Sequence, residues 1–274
     1  MNDIKYIFCD IDGTLLRRGE MLQDSFIQKI RQMKEKGYYF TFASGRLPYM
    51  IQPILEDLEL DNAYYVSCNG ALVRNKEKVL FVQKFPLSLV SRLIDLALKY
   101  NMTVLYAIDE EEFLLQENSA TIRKKAERGR YHPLRKVTSD EFATLKILKM
   151  NILTDDSEQT ISILHSELSE LVSELNITRY GDYGVEIVAK NVNKLTGVQL
   201  LLSHLDGQLI QSCAIGDNEN DAQLIEAVQL GIAVGNATEE LKDVADVIMK
   251  QEASQGVVEA LTYIDNLKRE KEQI

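Results

Sequence analysis

The sequence predicts an α/β protein in which a smaller α+β module interrupts a parallel sheet. Apolar runs alternate with helical patterns along both ends of the 274-residue chain, and this alternation is lost in between. Alternating strands and helices are typical of parallel sheets, because parallel neighbours need a crossover connection. We therefore expect residues 1–85 and 191–274 to form one α/β domain and residues 86–190 to form an inserted domain.

The first part of the chain contains three predicted strands. The apolar run at 4–10 predicts a buried strand, and the runs at 38–43 and 63–67 predict two more. A helical pattern at about 25–36 separates the first two strands, and Gly37 ends it. A predicted hairpin over residues 71–82 then ends the alternation.

The middle of the chain mixes helical patterns with short strand candidates. Helices are predicted at 88–100 and 158–174. The strand candidates lie at 102–107, 113–116, 146–154, around Ile177 and at Val185–Val188. Because no strand–helix–strand order is sustained, this segment is typical of an antiparallel α+β module.

After residue 193 the strand–helix order returns. A helical pattern through Val198 to Leu205 begins it, and a helix over the residues from Ala222 to Val228 continues it. The other predicted elements are strands at Leu209–Ile215, Gly231–Val234 and Val247–Met249, a short helix near Glu239–Asp243 and a last helix from Ser254.

Composition and charge exclude several partner classes. With 45% hydrophobic and 27% charged residues the chain has ordinary globular composition, and its net charge of −11 disfavours nucleic acids and anionic membranes as partners. No apolar run approaches the ~20 residues of a membrane helix. No signal peptide is visible, so we expect a cytoplasmic protein. The sequence does not indicate an oligomeric state.

Four polar clusters follow predicted strands or begin helices of the parallel domain. They are Asp10 with Asp12, Ser44–Arg46, Lys194, and Gly216–Asp221. Because the carboxyl ends of parallel strands meet at one crevice, we expect these clusters to converge there. Carboxylate oxygens are ligands that Mg²⁺ prefers, and Mg²⁺ binds phosphoryl groups. The pattern therefore indicates phosphoryl chemistry.

The residue types suggest a division of roles. Asp10 can take a phosphoryl group as an aspartyl phosphate, and Asp12 can protonate the leaving oxygen and later deprotonate water. Asp217 is the natural third carboxylate for Mg²⁺. Asp221 lies one helical turn beyond Asp217 and can orient it. Lys194 can place a point charge on the phosphoryl oxygens.

Two weaker signals accompany these clusters. Ser44 and the Gly45 amide lie at a strand-to-helix turn and offer neutral donors to a phosphoryl group, although a Ser-Gly-Arg segment can equally be an ordinary helix cap. Asn69 and Gly70 predict a tight turn, which the Asn-Gly pair favours.

With these motifs in this order, the chain resembles the haloacid dehalogenase-like superfamily and, within it, the Cof-type hydrolases. Asp10–Leu16 matches the first motif of that superfamily, and Gly216–Asp221 matches the last. Ser67–Ala71 and Ile232–Ala237 resemble two further stretches of the subfamily. The resemblance implies a Rossmann-like core with an α/β cap inserted between the second and third motifs.

The resemblance also implies roles for individual residues. Asp10 would be the nucleophile and Asp12 the acid/base, with Mg²⁺ on Asp10, Asp217 and the backbone carbonyl of Asp12. The implied contacts to the substrate phosphate come from Ser44, Gly45, Lys194 and Asn220. In this sequence Ser44 stands where threonine is commoner, and Leu195 follows Lys194 where the family commonly shows glycine.

The leading functional hypothesis is a Mg²⁺-dependent phosphatase that acts on small phosphorylated metabolites such as sugar phosphates. A phosphomutase or phosphotransferase is an alternative, because only the acceptor of the phosphoryl group differs. A catalytically silent metabolite-binding protein is a second alternative. The inserted domain is expected to be a lid. Its segment 121–136, with seven Lys/Arg and one Glu, can bind a second anionic group or form a solvated helix face.

Overall fold

The chain divides into two compact units. The first combines Met1–Phe81 with Asn193–Ile274, and the second is Val82–Val192. The computed structural model describes residues 3–17, 19–115, 135, 137–153, 160, 162–164, 166, 173–179 and 184–272.

The first unit contains eight of the described strands and six of the described helices. Its strands are β1 (Tyr6–Cys9), β2 (Tyr39–Phe42), β3 (Tyr65–Ser67), β4 (Leu72–Arg74), β5 (Val79–Val82, ending one residue past the boundary), β13 (Ser212–Gly216), β14 (Leu230–Ala233) and β15 (Val247–Ile248). Its helices are α1 (Asp24–Glu35), α2 (Pro48–Asp57), α5 (Lys194–His204), α6 (Ala222–Ala227), α7 (Glu239–Val244) and α8 (Ala253–Glu272).

A five-stranded parallel sheet forms the centre of the first unit. Its order is β15-β14-β13-β1-β2, with Tyr6 of β1 paired to Ser212 on one side and to Tyr39 on the other. Strand β1 is buried on both faces, as its continuous apolar run predicts. This sheet confirms the predicted α/β fold class.

Apolar faces of the helices cover both sides of this sheet. On one side Ile7 and Cys9 of β1 pack in a core with residues of α1 and α8. On the other side Tyr6 and Phe8 pack with residues of α5, α6 and α7. Alternation of the β1 side chains between two cores explains why none of its four residues is charged.

The third predicted strand joins the sheet less fully than expected. Strand β3 belongs to a separate three-stranded sheet with order β3-β4-β5, and a single parallel bridge, Ala43 to Val66, connects it to the end of β2. The Ser44 amide donates to the carbonyl of Val66 at 3.0 Å, and the hydroxyls of Tyr39 and Thr41 add hydrogen bonds to the carbonyl of Tyr64 at 3.3 and 2.6 Å.

The second unit contains an antiparallel sheet. Its order is β11-β12-β10-β7-β8, and all of its pairs are antiparallel. The strands are β7 (Thr103–Ile108), β8 (Glu111–Leu114), β10 (Lys149–Leu153), β11 (Leu175–Arg179) and β12 (Gly184–Ala189), with a small pair of β6 (Phe85–Pro86) and β9 (Lys146–Ile147) beside them. The described helices are α3 (Ser91–Lys99) and α4 (Ser139–Thr144).

Several local features differ from the sequence predictions. Helix α4 was not predicted, although Thr138 and Glu141 form the reciprocal capping box that marks a helix start. Residues Leu209–Gln211 form a 3₁₀ turn, so β13 begins only at Ser212. The predicted helix 158–174 and the basic segment 121–136 lie largely outside the described residues.

Two further observations concern the whole of the described chain. Its three cysteines, Cys9, Cys68 and Cys213, are buried and form no disulfide. None of the helices in the described ranges combines the length and apolar composition that a membrane crossing requires.

An ion pair between a buried carboxylate of α8 and a partly exposed lysine at the end of α1 stabilises the contact between these helices. The Asp265 carboxylate lies 2.5 Å from Lys36 Nζ and 3.1 Å from the Arg269 guanidinium. Burial opposes its ionisation, but the hydrogen bond from Lys36 and the nearby positive charges lower the pKa of Asp265 below its usual value. The paired carboxylate therefore stabilises the fold above about pH 4, and this contribution is lost as the pH falls through the lowered pKa.

We expect Asp265→Asn to lower the free energy of unfolding at neutral pH by about 2 kcal/mol, because the charge-assisted hydrogen bonds are lost. The difference from the wild type should shrink as the pH falls from about 5 to about 3. Urea denaturation at several pH values measures this. Asp57→Asn, at an exposed helix end, is the matched control and should change little. An equal loss at acid and neutral pH would contradict the ionic explanation.

Candidate active site

The carboxyl ends of β1, β2 and β13 place the predicted polar clusters at one edge of the sheet. Asp10 follows β1 directly, and its amide donates to the carbonyl of Ile215 in β13 at 3.0 Å. Asp217 follows β13, and Ser44 lies two residues beyond β2. The parallel pairing of the three strands thus brings together residues that are more than 200 positions apart in sequence.

Lys194 lies between two carboxylates. Its Nζ is 2.8 Å from Asp10 Oδ1 and 2.6 Å from Asp221 Oδ1, and all three side chains are buried. Burial alone would lower the pKa of Lys194, but Asp10 and Asp221 raise it above its usual value, so the ammonium is charged. A buried lysine of this kind is stable only because it is paired and hydrogen-bonded.

The start of helix α5 sets the position of Lys194. Asn193 caps this helix through a reciprocal capping box with Thr196, in which the Asn193 side chain accepts from the Thr196 amide at 2.8 Å. Lys194 is therefore the first residue of a well-defined helix. Leu195, which replaces the glycine common at this point, is partly buried against the neighbouring core, and Lys194 still reaches both carboxylates.

Asp221 uses both carboxylate oxygens within the site. Oδ1 accepts from Lys194, and Oδ2 accepts from the backbone amides of Asp217 and Asn218, each at 3.2 Å. Gly216 makes this possible, because a Cβ at that position would lie 2.6 Å from Asp221 Cβ. Asp221 therefore orients Lys194 and the loop that holds Asp217.

Asp217 contacts the loop that follows the first strand. Thr14 Oγ1 donates to Asp217 Oδ1 at 2.6 Å. Gly13 has φ +87°, and a Cβ there would lie 2.2 Å from Asp217 Oδ2. This approach requires glycine both for the backbone conformation and for the space. On the other side of the loop, Asn236 Nδ2 donates to the Gly13 carbonyl at 2.9 Å.

The side chains of the site carry more negative than positive charge. Oxygen atoms of Asp10, Asp217 and Asp221 all lie within 4.8 Å of one another, and the Lys194 ammonium is paired with Asp10 and Asp221. Burial, and then the neighbouring carboxylates, raise the pKa of Asp217 above its usual value. Burial also raises the pKa of Asp10, although Lys194 opposes this. With all groups ionised, the four side chains carry a net charge of −2.

This donor set fits a hard divalent cation. The available donors are oxygens, which Mg²⁺ prefers, and two positive charges would balance the cluster. Because both oxygens of Asp221 already accept hydrogen bonds, Asp10 and Asp217 are the carboxylates with capacity for a metal. The orienting role of Asp221 stays a prediction, and these hydrogen bonds support it.

Asp12 lies apart from this cluster. Its carboxylate forms a two-point ion pair with Arg46, at 2.8 Å from Nε and 2.7 Å from Nη2, and nearly half of the side chain is exposed. Two parallel hydrogen bonds of this kind fix the plane of a carboxylate. Arg46 lies in one of the predicted polar clusters, but its residue type and position predict no role for it.

The remaining predicted phosphate-binding residues lie on neighbouring turns. The buried Ser44 accepts from the Arg46 amide through Oγ at 3.2 Å, and Gly45 lies between these two residues. Asn220 Nδ2 donates to Asn69 Oδ1 at 3.1 Å. The tight turn predicted at Asn69 is present as the 3₁₀ turn Cys68–Gly70, and it also supplies a contact to the site.

Four contacts of the site are not predicted by the sequence. Thr14, Arg46, Asn69 and Asn236 each bond a predicted site residue or its loop. Thr14 and Arg46 belong to the motifs already singled out. Asn69 and Asn236 belong to the two stretches that resemble the Cof-type subfamily. That resemblance is the sequence signal by which these two residues could have been found.

The chain is similar in sequence to a family of hydrolases and to known phosphatases. A family model described as haloacid dehalogenase-like hydrolase matches residues 7–261. A putative phosphatase of Haemophilus influenzae is 30% identical over 89% of this chain and 92% of its own length. The Bacillus subtilis protein YcsE, a 5-amino-6-(5-phospho-D-ribitylamino)uracil phosphatase, is 26% identical over 95% of this chain and 96% of its own.

Solved structures share the whole fold. A haloacid dehalogenase-like hydrolase from Bacteroides thetaiotaomicron superposes with a TM-score of 0.78 at 25% identity, covering 96% of this chain and 100% of its own. A subclass IIB sugar phosphatase superposes with a TM-score of 0.81 over 95% of this chain and 99% of its own. At 21% identity, the second likeness concerns the fold alone.

We expect Gly13→Ala to destabilise the protein more than Gly37→Ala does. Both glycines have positive φ, +87° and +82°, but a Cβ on Gly37 meets no atom within 4 Å. The control therefore reports backbone strain alone, about 1 kcal/mol, while Gly13→Ala adds the clash with Asp217. Urea denaturation measures both, and equal losses would contradict the close approach of Gly13 to Asp217.

Proposed function

We propose that this chain, which belongs to the haloacid dehalogenase-like hydrolases and is a phosphatase of that family, hydrolyses monoesters of small phosphorylated metabolites with Mg²⁺. The reaction would pass through an aspartyl phosphate on Asp10. One observation supports this most strongly. Asp10, at the end of the first strand, is fixed by a buried ammonium, Lys194, beside a second carboxylate, Asp217, that retains capacity for a cation.

Asp10 is the attacking group, and Lys194 orients it. Lys194 contacts Oδ1 of Asp10, which orients the carboxylate and leaves Oδ2 to form a bond to phosphorus. As that bond forms, the bond from phosphorus to the ester oxygen breaks, and the leaving oxygen takes a proton. Water then attacks phosphorus, the bond to Oδ2 breaks, and inorganic phosphate leaves with Asp10 regenerated.

Asp12 is the residue proposed to move the proton. It protonates the leaving oxygen and then accepts a proton from the attacking water. In the structure its carboxylate is paired with Arg46, so it acts as an acid only after substrate replaces this contact. Arg46 therefore influences when Asp12 is available.

A metal ion and neutral donors complete the proposed site. Asp10, Asp217 and the backbone carbonyl of Asp12 would hold Mg²⁺, which when bound neutralises charge between the nucleophile and the phosphoryl oxygens. Lys194 contributes a further positive charge. The donors proposed for the phosphoryl oxygens are Ser44, the Gly45 amide, Lys194 and Asn220.

The names of the relatives support small phosphorylated metabolites as the substrate class. One relative, YcsE of Bacillus subtilis, is described as a phosphatase of a phosphoribitylamino compound. The acidic composition of this chain disfavours a nucleic-acid substrate. A phosphomutase would use the same residues, but it would yield an isomeric ester without free phosphate.

We expect Asp10→Asn to reduce Mg²⁺-dependent hydrolysis of an aryl phosphate by at least about 10³-fold, because the amide cannot form the phosphoryl ester. Release of inorganic phosphate measures the activity. Asp57→Asn, on an exposed helix end, should leave it unchanged. Comparable turnover in Asp10→Asn would show that another group attacks phosphorus.

We also expect Mg²⁺ binding to release protons. Since the pKa values of Asp10 and Asp217 are raised, the metal-free site is partly protonated near neutral pH, and Mg²⁺ must displace these protons. Affinity should therefore fall as the pH is lowered from about 8 to about 6. Calorimetric titration in two buffers of different ionisation enthalpy measures the release.

The matched variant for this titration is Asp217→Asn, which removes one carboxylate and should weaken Mg²⁺ binding by at least about 10-fold. Glu219→Gln is the control, because Glu219 lies in the same loop outside the acidic cluster. An affinity that does not depend on pH, with no proton release, would contradict the assignment of the metal to these carboxylates.

A further inference from the structure

The turn Cys68–Gly70 has an uncommon backbone. Its three residues all have positive φ, at 51° for Cys68, 50° for Asn69 and 99° for Gly70, and all three are buried. Left-handed backbone costs a non-glycine residue roughly 1–2 kcal/mol. A buried turn with consecutive residues in this region persists only where the surrounding contacts hold it there.

The backbone contacts of this turn lead to the candidate active site. The Cys68 amide donates to the carbonyl of Arg46 at 3.1 Å, and the Asn69 amide donates to the carbonyl of Ser44 at 3.0 Å. A Cβ on Gly70 would lie 2.0 Å from the carbonyl oxygen of Asn193, the residue that caps α5. The turn thus packs against both the β2–α2 turn and the start of the Lys194 helix.

The side chain of Asn69 makes a third contact. Its Oδ1 accepts a hydrogen bond from Asn220 Nδ2 at 3.1 Å. A carboxamide nitrogen carries two hydrogens in a fixed plane, so the bond to Asn69 occupies one N–H and sets the direction of the other. Asn69 is buried, which keeps water from competing for this bond.

We infer that Asn69 is a positioning residue, which orients the Asn220 carboxamide so that its second N–H donates to a phosphoryl oxygen of the substrate. This inference rests on the proposed function. Asparagine suits the position for two reasons, because it tolerates left-handed backbone better than most residues and because its side chain supplies the acceptor.

The conformation of the turn allows the side chain to be tested separately from the backbone. Asn69→Gly removes the acceptor but retains a residue that adopts positive φ without strain. We expect kcat for a phosphate monoester to fall by about 10-fold and inhibition by orthovanadate, which mimics the transition state, to weaken by a similar factor. The affinity for Mg²⁺ should not change.

A double-mutant cycle tests the route through Asn220. Because Asn69 is inferred to act only through this carboxamide, Asn69→Gly combined with Asn220→Ala should lose no more activity than Asn220→Ala alone. Asn101→Gly is the matched control, since Asn101 also has positive φ, at 55°, but lies in the second unit after α3. Its kinetics should match the wild type.

The outcomes separate this inference from the proposed function. Additive losses in the cycle, or wild-type kinetics in Asn69→Gly, would overturn the positioning role while leaving the phosphatase intact. Failure of the wild type to release phosphate from any ester would overturn the proposed function, and this inference with it. A loss of Mg²⁺ affinity equal to the loss of activity would indicate a general structural role instead.

A measurement on the wild type covers the case in which Asn69→Gly does not fold. Nuclear magnetic resonance of the ¹⁵N-labelled protein follows the two Asn220 carboxamide protons, assigned with Asn220→Ala. Orthovanadate should shift mainly one proton, while the proton bonded to Asn69 stays protected from exchange. Equal shifts or equal exchange of both protons would contradict the inference.

Discussion

The buried ion pairs of Lys194 are the interaction on which the rest of the site depends. Its ammonium connects Asp10, at the end of β1, with Asp221, at the start of α6, and so fixes two elements that the chain contributes from opposite ends. Removing either charge would leave the other buried without a partner, which is costly. The same ammonium is too little charge for three close carboxylates. A folded site with excess negative charge is suited to a divalent cation. The positive charge of such a cation would also attract the anionic phosphoryl group of a substrate.

Close backbone approaches let these charged groups meet. Gly13 allows the first loop to lie against Asp217, Gly216 allows Asp221 to turn back on its own loop, and Gly70 allows the Cys68–Gly70 turn to contact the cap of α5. In each case a methyl group would overlap an atom of another site element. The positions of the site side chains are therefore set by close contacts between the loops at the strand ends. The parallel sheet brings those strand ends to one edge.

Much of this arrangement could be predicted from the sequence, and the reasons for the exceptions are physical. The buried run of β1 and the glycine after Asp12 are local patterns, so they predict both the strand and the polar turn at its end. The partial separation of β3 could not be foreseen, because it depends on hydroxyls of Tyr39 and Thr41 reaching Tyr64. The pairing of Asp12 with Arg46 and of Asn69 with Asn220 likewise depends on which turns become neighbours. Tertiary contacts of this kind leave no periodic signal.

The excess negative charge beside Lys194 is proposed to be a metal site whose carboxylate ligands are Asp10 and Asp217. The most direct test is a crystal of the full chain grown with Mn²⁺, with data collected to locate the anomalous signal of the ion. We expect a single strong peak within coordination distance of one oxygen from each of Asp10 and Asp217, with Asp221 still bonded to Lys194. A peak on Asp221 with Lys194 displaced, or no peak at this edge of the sheet at saturating Mn²⁺, would contradict this assignment.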